Sequence, residues 1–340
     1  MRGWLRALGL VGGCVGATLW AVAVTVLQTP SEPPPTDLAE NNTYWVRDVR
    51  WMAILAVVGA LILVFRGDRI RSGLAALAVP GWLGLDLWLD RIDAAGPTAT
   101  RWAVVLGCVV VFAAFLVERL SPGEPDRWVL AIGAAVAAAT APAAVAIESP
   151  TDTEAALTRS ALILGWLLTA VAVGCALSAA SEGGLRHGRL AVGVAVTAAS
   201  GVLLVRAVPI DAVPIDDPIL PLLALMAVLS AGVAMVYLPW PGFRRAVTRY
   251  GLLGIGAMGA YAVFAVPFLV LAQPVAAWVT QIAGNPPVNA ADSDTITALL
   301  GLPIGVVFGL FLAEHQQRPT YWYPDSYPDS PPADQPALSG

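Results

Sequence analysis

The sequence predicts an all-α, polytopic transmembrane helical bundle, and three observations carry that expectation. Hydrophobic residues make up 57% of the 340 and charged residues only 13%, where a soluble domain carries about 25% charged residues; mean hydropathy is +0.72. Apolar runs recur at nearly even spacing, each near the roughly 20 residues that ~30 Å of hydrocarbon requires. Arginines collect in alternate connections, with 13 of the 19 on one side, which is the asymmetry of the positive-inside rule.

Counting runs bounded by charge gives ten spans: 5–27, 51–65, 73–89, 102–117, 128–147, 160–179, 190–205, 219–238, 251–272 and 296–312. The second, fourth and seventh are short and must borrow flanking residues. Residues 1–314 then form one membrane domain and 315–340 a polar tail. Placing the arginine-rich side inside puts both termini in the cytoplasm, with the plasma membrane as the expected location and the lipid bilayer as first partner. Acidic residues run the other way, 14 of the 24 falling in outer segments.

The first run contains Val11-Gly-Gly-Cys14, which has the form of a lipoprotein signal box, and Ala21-Val-Ala23, a possible peptidase site. Apolar sequence continues for thirteen residues beyond Cys14, so an uncleaved signal anchor is expected. Residues 28–42 form a loop rich in Pro, Glu and Asp, followed by a sequon at Asn41-Asn-Thr43 that carries little weight in a chain of bacterial character.

The next stretch, 45–93, organises the chain. Two apolar arms flank the basic turn Arg66-Gly-Asp-Arg-Ile-Arg71. Folding helices about that turn places Arg47 opposite Asp90 and Arg50 near Asp86. Asp86, Asp90 and Asp93 follow an i, i+4, i+7 spacing, which predicts three carboxylates on one stripe. Arg47, Arg50, Arg101 and Arg159 stand at N-terminal ends of inward-running helices, while Asp90 and Glu148 stand at C-terminal ends of outward-running ones. Each placement opposes the helix dipole by about 0.3–1 kcal/mol, and pairing between neighbours relieves it. Arg159 is expected to pair with Glu148 or Glu154. Asp86, the deepest carboxylate, is either a substrate or proton site or a permanent partner of Arg50 that fixes helix register.

Prolines at Pro80, Pro142, Pro221, Pro267 and Pro303 interrupt later runs, and Gly301-Leu-Pro303-Ile-Gly305 predicts a kink or short unwinding. Five runs per half would permit an inverted repeat, although the halves share no convincing sequence match. Gly256 and Ala260 satisfy small-xxx-small spacing, which predicts close helix pairing. Val275, Trp278, Val279 and Ile282 predict a separate short helix lying flat on the outer surface, followed by a loop with Asp292 and Asp294. The tail repeats Tyr323-Pro-Asp-Ser326 as Tyr327-Pro-Asp-Ser330; its proline density predicts disorder, with a cytoplasmic partner as one reader of the repeat.

Composition also excludes chemistry. The chain has no lysine, so no Schiff base or lysine nucleophile is available. His187 and His315 lie in polar connections, which rules out bis-histidine haem ligation inside the bundle. Cys14, Cys108 and Cys175 stand singly and read as small hydrophobes. No phosphate loop, HExxH or GxSxG is present, no cofactor is called for, and the scattered inner arginines give no nucleic-acid face.

The leading expectation is transport of a small solute, cationic or lipid-linked, past an acidic outer mouth. Asp86, Asp90, Asp93, Arg47 and Arg50 are the candidate substrate or proton site. A non-transporting subunit of a membrane complex is the second reading. An intramembrane enzyme acting on a lipid-linked substrate is the third.

Overall fold

The structure is a computed structural model that describes residues 2–28, 45–144, 155–181, 187–207, 219–238, 243–286 and 297–317. Every described element is helical. In chain order they are α1 (Arg2–Val22, running into a π-helical segment Ala23–Leu27), α2 (Trp45–Val64), α3 (Arg69–Leu77), α4 (Val79–Arg91), α5 (Pro97–Leu120) and α6 (Arg127–Ala143). There follow α7 (Ala155–Ser181), α8 (His187–Ala207), α9 (Ile219–Tyr237), α10 (Phe243–Ala283), a 3-10 turn Thr297–Leu299 and α11 (Gly301–Gln317). Among the described residues, six helical stretches are long and apolar enough to cross a membrane: Gly3–Leu27, Arg69–Arg91, Pro97–Leu120, Arg159–Ala180, His187–Arg206 and Leu220–Tyr237. Exposed Leu, Val, Ile and Trp side chains cover α5, α8 and α10, as expected of helices solvated by lipid rather than water.

Helix α2 is not among the six because Arg47, Asp48 and Arg50 crowd its first two turns, yet it is the axis of the fold. From Val46 to Val64 nearly every side chain is buried, because α1, α3, α4, α5, α6 and α7 all pack around it. Small residues permit this crowding. A Cβ on Gly9 would meet the Ala60 carbonyl oxygen at 2.9 Å, and one on Gly16 would meet Val57 Cγ2 at 2.9 Å.

The turn after α2 is built as the sequence suggests. Arg66 and Gly67 adopt positive φ of 56° and 75°, and a Cβ on Gly67 would lie 2.4 Å from the Asp126 carbonyl oxygen, so only glycine fits there. Asp68 caps α3 by accepting from Arg71 N at 2.9 Å. Asp126 likewise caps α6 by accepting from Trp128 N at 2.7 Å.

The second arm of the hairpin is two helices, α3 and α4, broken at Ala78. The break needs no unwinding, because Pro80 sits in the first turn of α4, where its missing N–H would have no helical partner in any case. Pro221 and Pro303 are the third residues of α9 and α11, so the kink expected at 301–305 is absent. Pro267 and Pro274 are the interior prolines of α10, and they do not end it. The surface helix expected at 275–282 is the end of this 41-residue helix rather than a separate one. Its inward face is Ala272, Ala276, Val279 and Ala283, while Val275 and Trp278 are exposed.

The expected glycine pairing is also relocated. Gly256 has nothing within 4 Å of a built Cβ and borders, with Ala260, a cleft of about 210 Å³ between α10 and α11. The close pair is α6 with α11. Cβ atoms on Gly301, Gly305 and Gly309 would fall 2.3 Å from Thr140 Oγ1, 2.3 Å from Val136 Cα and 2.6 Å from Ile132 Cα. Each four-residue step along α11 meets a four-residue step back along α6, an antiparallel backbone contact that only glycine admits.

Glu148, Glu154, Asp292, Asp294, the loop before α2 and the Tyr-Pro-Asp-Ser repeats lie outside the described residues. For the relocated pairing, Gly305→Leu is expected to lower stability by more than about 3 kcal/mol, above the usual range for overpacking, because backbone rather than a side chain must give way. Gly256→Ala is expected to stay within about 0.5 kcal/mol of wild type; thermal unfolding in detergent measures both.

Candidate functional site

The site is assembled at the N-terminal end of α2. Arg47, Arg50 and Trp51 share a helical face by their i, i+3, i+4 spacing. Arg50 donates from Nη2 to Asp90 Oδ2 at 2.7 Å and lies 3.2 Å from Asp86 Oδ2. The side chains of Arg50, Asp86 and Asp90 are all 0% exposed. Asp86 is completed by two indoles, Trp20 Nε1 at 2.8 Å to Oδ1 and Trp51 Nε1 at 3.2 Å to Oδ2. Asp90 accepts in addition from Asn285 Nδ2 at 3.4 Å.

One guanidinium therefore bridges two carboxylates that stand one helical turn apart on α4. The cluster gathers Trp20 from α1, Arg50 and Trp51 from α2, the two aspartates from α4, and Asn285 from just beyond α10. Trp20 also lies edge-on to Trp82 of α4, with ring centroids 5.4 Å apart. Asp86 and Asp90 are the fully buried residues of α4, and Trp88 is 55% exposed. This edge helix is held to the bundle by that charge-assisted contact together with the partly buried Val79, Trp82, Leu83, Leu85, Leu87 and Leu89.

The other candidates are placed differently from their sequence expectations. Arg47 Nη1 donates to Thr280 Oγ1 on α10 at 2.8 Å, while Asp90 accepts from Arg50. Asp93 does not join the carboxylate stripe. The helix ends at Arg91, and Asp93 turns away with φ 47° into solvent-exposed sequence, so the spacing that relied on a continuing helix fails at its last member. A three-carboxylate set is consequently not brought together. Asp48, not singled out from sequence, accepts from Ala298 N at 2.9 Å and so fixes the 3-10 turn before α11 against α2. Arg91 Nη1 donates to the Ile282 carbonyl oxygen at 2.7 Å.

A second buried charge at the opposite end of these helices went unrecognised. Glu118, 0% exposed in its side chain, accepts from Arg6 Nη2 at 3.1 Å, Arg71 Nη1 at 2.5 Å and Gly123 N at 3.2 Å. The signal was present: Glu118 stands in the last turn of α5, a carboxylate opposing the helix dipole, as Asp90 does.

The three cysteines are free, and the aromatic, aliphatic and charged neighbours of Arg50 offer hydrogen bonding and charge rather than a nucleophile. The chemistry available is exchange of a buried carboxylate's partner: the guanidinium, a proton, or another cation.

Arg50→Met is expected to destabilise the protein by at least about 3–5 kcal/mol, the usual consequence of leaving buried charge uncompensated, since two carboxylates lose their common cation. Asp93→Asn is expected to stay within about 0.5 kcal/mol. Chemical unfolding in detergent, followed by far-UV circular dichroism, separates the two. No family model, curated protein or solved structure matches this chain.

Proposed function

We propose that the protein is a proton-linked transporter of a small, cationic or lipid-linked solute, with Asp86 and Asp90 as the coupling carboxylates and Arg50 as their resting partner. The observation that carries this reading is the pair of buried carboxylates one helical turn apart, Asp86 and Asp90, both in contact with Arg50. Such a pair is what a coupling site offers, because a carboxylate beside a guanidinium can exchange that contact for a proton or a cationic group.

The same reading adds α2, α6, α11 and the apolar part of α10 to the six membrane-length helices, reaching ten spans. Arginine asymmetry then places both termini in the cytoplasm and the Arg50 cluster near the outer face of the plasma membrane.

A second reading is a non-transporting membrane subunit that binds a partner through its tail and helix faces. The enclosure of Asp86 by Trp20, Trp51 and Arg50 favours it. An intramembrane enzyme draws less support, since the clefts between helices are lined almost wholly by apolar side chains.

The test is flux in vesicles loaded with a pH-sensitive dye and challenged with a panel of small organic cations. Asp86→Asn is expected to abolish substrate-dependent proton movement in a variant that still folds, although its unfolding temperature falls because Arg50 loses one of its buried carboxylate contacts. A folded variant that still moves protons with substrate overturns the coupling role. For the subunit reading, removing Tyr321 to Gly340 is expected to release a copurifying protein and leave the bundle unchanged.

A further inference from the structure

We propose that Cys14 and Cys108 form a dithiol pair that a lipid-soluble quinone oxidises to a disulfide, joining α1 to α5. This inference is independent of transport and concerns a different part of the molecule from the Arg50 cluster.

The two residues are 94 positions apart in sequence, and the fold brings them together. α1 and α5 are both of membrane-spanning length and pack against each other closely. A Cβ on Gly107 would lie 2.8 Å from Ala17 Cβ, and one on Gly13 would lie 2.7 Å from Val111 Cγ1. Pairing 13 with 111 and 17 with 107 makes the helices antiparallel and sets Cys14 and Cys108 at nearly one depth, between the two contacts. There Cys108 Sγ lies 3.9 Å from the Cys14 carbonyl oxygen, and the two thiols are within hydrogen-bonding reach of each other.

A disulfide needs Cα atoms roughly 4.4–6.8 Å apart. The Cβ built on Gly107 stands 3.7 Å from Ala17 Cα, so those two Cα atoms are no more than about 5.2 Å apart, one carbon–carbon bond further. The helix pair is therefore as close as such a bond requires, and closing it asks for side-chain rotation. Cys175 is the internal contrast: it is buried, and its Sγ donates to the Gly59 carbonyl oxygen at 3.8 Å.

Access selects the oxidant. Cys14 and Cys108 are half-buried, and exposed Val11 and Val15 on α1 and Val105 and Val109 on α5 flank them. Their open side faces lipid, which admits an apolar oxidant and opposes a charged one. The chemistry balances within that phase. Two S–H bonds break and one S–S bond forms; the sulfurs give up two electrons, and the quinone takes these with both protons to become a quinol. Neither product carries charge, whereas a soft cation such as Cu(I) held by two thiolates would leave a net negative charge at that depth. The bond would add a covalent tie to the Arg6–Glu118 contact between the same helices and restrain Trp20, which α1 carries to Asp86.

The experiment places the reduced full chain in phosphatidylcholine vesicles with decylbenzoquinone, stops the reaction with a maleimide and maps the thiols by mass spectrometry after unfolding. Wild-type protein is expected to lose two hydrogens, to yield a peptide linked between Cys14 and Cys108, and to keep Cys175 open to alkylation once unfolded. Ferricyanide, a charged oxidant confined to water, is expected to form the link at least about tenfold more slowly, since charge is costly at that depth. The proposal is overturned if Cys14 and Cys108 stay alkylatable in quinone-treated protein, or if quinone adds to either sulfur without linking the two. A link between two copies of the chain, or a comparable rate with ferricyanide, overturns it as well.

Discussion

A guanidinium or carboxylate removed from water must find a partner of opposite sign, and in this bundle the need falls on Arg50. Its position on α2 is fixed by the apolar packing of the most enclosed helix in the structure. The two aspartates of α4 must therefore come to it. The consequence is architectural: charge sets the register in which an edge helix packs its half-buried apolar face, placing Trp82 against Trp20. The π-helical end of α1 adjoins the same place, where Thr25 Oγ1 meets Thr100 Oγ1 at 2.8 Å and ties α1 to α5. At the far end, Glu118 performs the reverse service with two arginines and one carboxylate.

The two clusters mirror each other in sign: Asp86 and Asp90 both contact Arg50 at one end, and Arg6 and Arg71 both contact Glu118 at the other. The α3–α4 arm contributes to both, with its break at Ala78 between them. Ionic contacts thus fix the arm at its two ends while Ala75, Val79, Trp82 and Leu83 pack between them, and an apolar cleft lies beneath the break. On the other side of the bundle, glycine-mediated backbone contact brings α6 and α11 together.

Much of this was legible in the sequence. Composition alone identifies a membrane helical chain, and the mirror relation about the turn at 66–71 places Arg50 beside Asp86, where it is found. What the spacing could not supply was Arg50's second partner, because the register differs by one turn. Nor could it supply Arg47's partner, because Thr280 comes from 233 residues later in the chain. Asp93 misled because periodicity assumes a helix that continues, whereas Gly96-Pro97 marks a stop just ahead and Asp93 takes the left-handed conformation that closes the helix. Pro303 misled for a different reason. Proline breaks a helix only where an i−4 carbonyl awaits its N–H, and the first turn of α11 has none. Gly301 and Gly305, read as companions of a kink, are contact residues whose third member, Gly309, lay just beyond the pattern considered.

The account stands on Arg50 being energetically coupled to the α4 carboxylates rather than merely near them. A double-mutant cycle measures this directly: Arg50→Met, Asp90→Leu and the double variant, unfolded in the same detergent. A coupling energy above about 2 kcal/mol is expected for a close, desolvated pair. Additivity of the two single changes to within about 0.5 kcal/mol, as found for independent sites, would contradict it.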